Sequence, residues 1–297
     1  MLWEAVAVII KAYSNPIMLC NLTKQIDPRT KKGKNNSLPN LFTSPDKKFQ
    51  LFQGDSLELL KCFKDESIDL VFADPPYFLS NNGITCHAGK MVSVNKGRWD
   101  VSMGFKDNYS FVRSWLSECQ RLLSANGSIW VSGTSHIIHI VGSVMMELGF
   151  KILNDITWVK PNPPPNLSCR YFTHATETII WAGKNKKTKH VFNYACMKEL
   201  NNNKQMKSVW EMKAPSKTEK KWGKHPTQKP LALLDRIILA STNPGDSILD
   251  PFSGSATTGI SAWLNNRSYI GIEKVEEYNA LAIKRFNDAL ANKTASA

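Results

Sequence analysis

The sequence predicts an α/β protein, one doubly wound and mostly parallel sheet with an inserted region. Three observations lead there. Short apolar runs at 68–73, 128–133, 247–250 and 268–272 have the length and composition of buried strands. Amphipathic segments such as 109–123 and 276–290 alternate with them, as βαβ units require. Two of the strands run directly into stiff or small-residue loops, and strand ends are where open α/β sheets bind ligands.

In chain order, residues 1–47 read as a flexible leader, with a basic polar linker at Lys31-Lys32-Gly33-Lys34-Asn35-Asn36-Ser37. Order is expected from a strand at 48–53, closed by Gly54-Asp55-Ser56. Leu57, Leu60 and Phe63 continue at helical spacing, so Asp55 is placed to cap a helix. The strand at 68–73 ends in Asp74-Pro75-Pro76-Tyr77. A long polar loop follows, 78–105, carrying Asn81, Asn82, Lys90, Lys96, Arg98 and Trp99; it reads as a flap, with Trp99 alternatively pinning it to the core. Helices at 109–123 and 137–148 flank the strand at 128–133. A strand at 150–159 then leads into the rigid loop Lys160-Pro161-Asn162-Pro163-Pro164-Pro165-Asn166, and another strand follows at 177–182. The first half of the sheet domain therefore spans 48–182. Between 183 and 222 the periodicity breaks down among lysines, asparagines and aromatics, and this stretch is read as the insertion. The second half, 223–290, opens with His225-Pro226-Thr227-Gln228-Lys229-Pro230 before a helix at 231–240, and the tail 291–297 is expected to fray.

Asp74-Pro75-Pro76-Tyr77 is the run with the clearest chemistry. Consecutive prolines remove two N–H donors and fix φ, so the turn is stiff. It can hold the Asp74 carboxylate and the Pro75 carbonyl as two acceptors at a set separation. An exocyclic amino group has two hydrogens to offer such a pair, and Tyr77 adds a flat face for a heterocycle. Taken alone, the run reads equally well as a proline turn with a capping Asp. Its partner lies downstream. Asp250 ends a strand, and Pro251-Phe252-Ser253-Gly254-Ser255-Ala256-Thr257-Thr258-Gly259 follows, a small-residue loop that lets backbone approach a ligand with a helix N-terminus behind it. The next strand ends in Glu273, about 20 residues on, where an acid accepts from ribose hydroxyls.

The pair D-P-P-Y and D-P-F-x-G-S-x-T-T-G resembles the amino-methylating DNA methyltransferases that use S-adenosylmethionine (AdoMet). With the D-P-P-Y motif first and the cofactor loop last, the order resembles the β-class permutation of that family. The resemblance covers roughly residues 48 to 290. Within the family it is strongest to the adenine-N6 methylases of GATC-type restriction systems, through Phe72-Ala73-Asp74-Pro75-Pro76-Tyr77-Phe78-Leu79-Ser80 and Asn166-Leu167-Ser168-Cys169-Arg170-Tyr171-Phe172-Thr173-His174. Ala256 departs from it, standing where the family has its second loop glycine. The resemblance implies an AdoMet-dependent methyltransferase fold. Asp74, Pro75, Pro76 and Tyr77 would be catalytic. Asp55, Thr227, Lys229, Asp250, Phe252, Ser253, Gly254, Ser255, Thr257, Thr258 and Glu273 would hold AdoMet, with Lys229 suited to its carboxylate. It also places the proline-asparagine loop and the arginine-aromatic pair on the target-base side.

Charge agrees with a nucleic-acid partner: 38 Lys and Arg against 25 Asp and Glu leave +13. Basic and amide side chains make 183–222 the expected target-recognition region, with Lys213 and Lys217 as expected contacts to double-stranded DNA and Arg98 a further one from the flap; the resemblance adds Asn162, Asn166 and Arg170. The six cysteines show no zinc spacing and none follows a proline, which excludes the Pro-Cys nucleophile of cytosine-C5 methylases. His136 and His139 have no acidic or cysteine neighbour and read as surface histidines, so no metal is expected. No stretch reaches the 18 apolar residues of a membrane span, and the short run at 6–10 lacks the basic start and small-residue exit of a signal peptide, so the expected place is the cytoplasm. The chain is expected to act as a monomer or homodimer, with a cognate restriction endonuclease sharing its site without stable contact. Two other functions compete: cytosine-N4 methylation, since some such enzymes share D-P-P-Y, and a non-catalytic DNA-binding module on a relic AdoMet fold.

Overall fold

The structure, a computed structural model, describes residues 40–80, the backbone of 84–87 and 90–93, and residues 100–295. Its strands are β1 (Asn40–Thr43), β2 (Phe49–Gln53), β3 (Ile68–Ala73), β4 (Ile84–His87), β5 (Lys90–Ser93), β6 (Leu123–Gly133), β7 (Lys151–Val159), β8 (Thr176–Gly183), β9 (Val209–Glu211), β10 (Ser247–Asp250) and β11 (Ser268–Glu273). Its helices are α1 (Ser56–Leu59), α2 (Phe105–Leu122), α3 (Ile138–Glu147), α4 (Tyr194–Glu199), α5 (Leu231–Ser241), α6 (Thr257–Leu264) and α7 (Glu276–Ala295).

Among the described residues nine strands form one sheet in the order β1-β2-β11-β10-β3-β6-β8-β7-β9. The five central strands, β2 to β6 in that order, are mutually parallel, while β8 runs antiparallel to β6 and to β7, and β1 antiparallel to β2. Alternation along each central strand supplies two cores. Phe52, Val71 and Ile129 face α2 and α3, whereas Leu51, Leu70, Phe72 and Trp130 face α5, α6 and α7. Both faces are therefore covered, which is why these strands read as continuous apolar runs. Trp130 of β6 stacks on Trp181 of β8 with centroids 4.7 Å apart, tying the antiparallel strand to the parallel ones.

Several boundaries differ from expectation, each for a tertiary reason. Residues 1–39 of the expected leader lie outside the described residues, while β1 pairs with β2 and Asp46 accepts a 2.8 Å hydrogen bond from the Trp263 indole, so 40–47 belongs to the domain. The helix after Asp55 shrinks to one turn of α-helix and a tighter turn ending at Cys62. Inside 78–105 a hairpin, β4–β5, replaces an unstructured loop, and the buried Asp100 carboxylate clasps its base by accepting from Phe78 N, Leu79 N and Ser80 Oγ. Trp99 and Arg98 lie outside the described residues. The segment 183–222 is not wholly an insertion, because β9 adds to the sheet beside β7, pairing Trp210 with Trp158. At the end of the chain, α7 carries the helix through Ala295 rather than fraying from 291.

Candidate active site at the carboxyl edge of the sheet

Parallel strands bring their following loops to one edge. β3 and β10 are adjacent, with Leu70 opposite Ile248 and Val71 opposite Leu249, so Asp74 and the loop after Asp250 emerge side by side. β11 on the far side of β10 delivers Glu273, and β2 delivers Gly54 and Asp55. Because β8 is antiparallel, its beginning lies at this same edge, which brings Glu177 to the end of β6 and to Ser132. A cavity of about 350 Å³ opens there. Asp74, expected to be catalytic, lines it together with Asp55, Thr227, Lys229, Asp250, Phe252, Ser253, Gly254, Ser255, Thr257, Thr258 and Glu273.

The loop after β10 is held from within. Asp250 accepts from Thr258 Oγ1 at 2.6 Å and from Phe252 N at 3.0 Å, bending the chain into α6. Burial lifts the Asp250 carboxyl to about 7, against the opposing pull of those two donors. Gly254 takes φ 50, and a Cβ there would meet the His225 ring at 3.0 Å. Its N–H donates to Glu273 Oε2 at 2.8 Å, and Val275 N donates to Oε1 at 2.7 Å. Burial raises the Glu273 carboxyl, while those backbone donors hold it in place with lone pairs to spare. Ser255 and Thr257 hydroxyls both accept from Arg285, a buried guanidinium that braces the loop from α7. Asp55 caps α1 through Leu57 N at 3.0 Å and pairs with Lys274 at 3.0 Å. The donor set suits AdoMet: an acid at the end of β11 for a ribose diol, a stretch of close backbone, the Phe252 ring and a cavity of small-molecule size.

Around Asp74 lies a network that sequence reasoning missed. Asp74 Oδ1 accepts from the Tyr77 hydroxyl and from Ser132 Oγ, each at 2.6 Å. Its Oδ2 accepts from Lys229 Nζ at 2.5 Å. Glu177 Oε2, at 3.0 Å, shares the single Tyr77 hydroxyl proton with Asp74 and lies 3.6 Å from the same Nζ, while Oε1 pairs with Lys160. Burial acts to lower Lys229, but Asp74 and Glu177 outweigh it and hold the ammonium above its usual range. Burial pushes Glu177 up, yet Lys229 and Lys160 bring it down to about 2. Burial beside Asp74 and Glu177 keeps Tyr77 a phenol, and so a donor. Two expectations change. Lys229 is bonded to Asp74 rather than held apart for a cofactor carboxylate. Tyr77 is 6% exposed and its ring face lies 5.2 Å from the Lys229 ammonium, so it does not offer an open stacking surface. Ser132, Lys160 and Glu177 gave no sequence signal because β6, β7 and β8 meet in space and not in the chain.

Of the expected DNA contacts, Asn162 and Arg170 are exposed on the loop between β7 and β8, and Lys213 and Lys217 are exposed just past β9, all at this edge. Asn166 is spent inside its own loop, donating to Tyr171 O and accepting from Ser168 N and Oγ. Arg98 lies outside the described residues. His136 meets Thr134 Oγ1 at 3.3 Å, and no group of three metal-ligating side chains occurs among the described residues. Nor is any described helix long and apolar enough to cross a membrane.

Residues 68–284 match the family model described as DNA methylase. The Type II methyltransferase M2.MboI of Moraxella bovis is 53% identical over 247 residues, 83% of this chain and 90% of that protein. M2.DpnII of Streptococcus pneumoniae is 54% identical over 239 residues, 80% and 89% of the two chains. The crystal structure of the M1.HpyAVI–SAM complex superposes with a TM-score of 0.60 at 31% identity, covering 80% of this chain and 98% of the other. The cytosine-N4-specific PvuII DNA methyltransferase reaches 0.66 at 23% identity, over 85% and 90%, a likeness of fold.

Proposed function

The chain belongs to the DNA methylase family of amino-methylating enzymes, and from that premise we propose that it transfers a methyl group from AdoMet to adenine N6 at a specific duplex site. The modification arm of a restriction-modification system is the proposed setting, matching relatives named Type II methyltransferases, and a cognate nuclease would act on the same site without stable contact. Resemblance of the 72–80 and 166–174 segments to GATC-type adenine methylases is the ground for GATC. The observation that carries the reading is the meeting of the Asp74 carboxylate with the cofactor-type loop of β10 in one cavity. An intact Asp74, Tyr77 and Glu273 speak against a relic fold.

AdoMet, when bound, supplies an electrophilic sulfonium methyl. Adenine N6 is a weak nucleophile because its lone pair is delocalised into the ring. Asp74 Oδ2 and the Pro75 carbonyl, held by the proline turn, accept the two amino hydrogens and localise that lone pair toward the cofactor side. The N6–methyl bond would form as the sulfonium–methyl bond breaks to leave a thioether, and one N6 proton would then be lost to Asp74 or water. No covalent enzyme intermediate is therefore needed, and positioning with fixed electrostatics provides most of the rate. To reach Oδ2 the amino group must displace Lys229, and Glu177 Oε2 is near enough to receive the ammonium and keep it paired. The movement also uncovers the Tyr77 ring for the base, which must leave the duplex stack to enter. Residues 183–222 are the proposed reader of the flanking bases.

Methyl transfer from labelled AdoMet to unmethylated genomic DNA, with nucleoside analysis and sequence-resolved mapping, tests this. N6-methyladenine in one short motif is expected; N4-methylcytosine would overturn the base, and a map without GATC would overturn the site. Asp74→Ala should abolish transfer while AdoMet affinity, read by calorimetry, changes less than about threefold, because the carboxylate acts on the base.

A further inference from the structure

Among the exposed large apolar side chains, Phe172 stands out at 95% exposure, and it makes no ring contact among the described residues. Its surroundings are ordered. Asn166 Nδ2 donates to Tyr171 O, Tyr171 packs on His174 with centroids 5.4 Å apart, and Lys160 N donates to Ala175 O at 2.8 Å, closing the loop at its foot. The feet of this loop are themselves part of the active site, since Lys160 and Glu177 pair with each other and Glu177 bonds Tyr77. Phe172 is five residues from Glu177, so at most about 18 Å of chain separates it from the Asp74 network. Arg170, exposed on the same turn, gives the tip a positive charge suited to a phosphate.

An aromatic ring held out in water beside such a site needs an apolar destination. A flipped adenine leaves one: an opened base stack of flat, apolar faces. We propose that Phe172 is a wedge that enters the duplex where the target base has left and holds the base out. This rests on the adenine reading above and adds to it a residue that stabilises the extruded state without touching the base, the cofactor or the reacting atoms. Apolar wedges between base steps are a general way of supporting distorted duplexes.

The test compares the wild-type enzyme with Phe172→Ala on two duplexes carrying the mapped methylation site. In one the target adenine is paired with thymine; in the other it faces an abasic position, so that little pairing has to be broken. On the paired duplex Phe172→Ala should lower kcat/KM by about tenfold or more, whereas on the abasic duplex the two enzymes should agree within about threefold. Phe172→Trp should restore the rate on the paired duplex. Equal rates on the paired duplex, or an equal loss on both, would overturn the wedge. The wild-type rate on the paired duplex reports separately on the adenine reading, so failure of one is distinguishable from failure of the other.

Discussion

An ammonium enclosed by protein stays charged only where carboxylates surround it, and around Lys229 there are two. Removing it leaves Asp74 and Glu177 facing each other without that cation, and breaking a buried pair costs about 3–5 kcal/mol. Lys229→Met should therefore destabilise the fold by about that much in urea denaturation. Adding Glu177→Gln should cost less than the sum of the two single changes, because it also removes one of the stranded charges. Strict additivity would show that the groups are not coupled. Asp250 offers a second prediction. With its carboxyl lifted to about 7 by burial, it gains its negative charge as pH rises through neutrality. A sulfonium in the same cavity favours the ionised form, so AdoMet should bind more tightly at pH 7.5 than at pH 6. The uncharged thioether of S-adenosylhomocysteine lacks that attraction, and its affinity should rise less. A ratio of the two affinities that stays flat across this range would exclude Asp250 as the titrating group.

At the scale of elements, the fit of α6 onto β11 and β2 is set by one residue without a side chain. A Cβ on Gly259 would run into the rings of Tyr269 and Phe49, both in the core. Gly259→Ala should lower stability by about 1–3 kcal/mol through overpacking, measured as a fall in Tm with AdoMet absent. Ala256, three residues earlier, differs in kind. It caps α6 at φ 55 and ψ 37, a left-handed conformation costing a non-glycine residue roughly 1–2 kcal/mol. Its fully buried methyl recovers about 0.8 kcal/mol. Alanine also has less freedom than glycine to lose on folding, by about 0.4–1 kcal/mol. These gains offset part of the strain, so alanine is tolerated at a left-handed position. Such elements were legible in sequence because strands covered on both faces read as apolar runs and loops follow their ends. β9 was not, since three residues show no period and their place is set by the pairing of Trp210 with Trp158. The one-turn α1 was overcalled for the opposite reason: its apolar spacing is genuine, but the chain turns at Cys62 to enter β3.

For the whole molecule, the question is which part of a +13 surface meets DNA. Cation excess alone does not say, because attraction to a polyanion acts over the entire surface and weakens with salt everywhere. Topology narrows it. The lysines of the 183–222 segment divide between opposite edges of the sheet: Lys186 and Lys187 follow the end of antiparallel β8 at the amino edge, whereas Lys213 and Lys217 follow β9 at the carboxyl edge with Asp74. A catalytic complex that delivers a base to the cavity can engage phosphates only at the second edge. The salt dependence of duplex affinity, measured with AdoMet present, separates the two groups. Changing Lys213 and Lys217 together to glutamine should reduce the slope of log K against log salt concentration by about one unit for each lysine. Changing Lys186 and Lys187 removes the same charge and should leave the slope nearly unaltered. Equal reductions from both pairs would mean that the protein's overall field, rather than a docked carboxyl edge, accounts for its binding, and the assignment of Lys213 and Lys217 to the interface would fall.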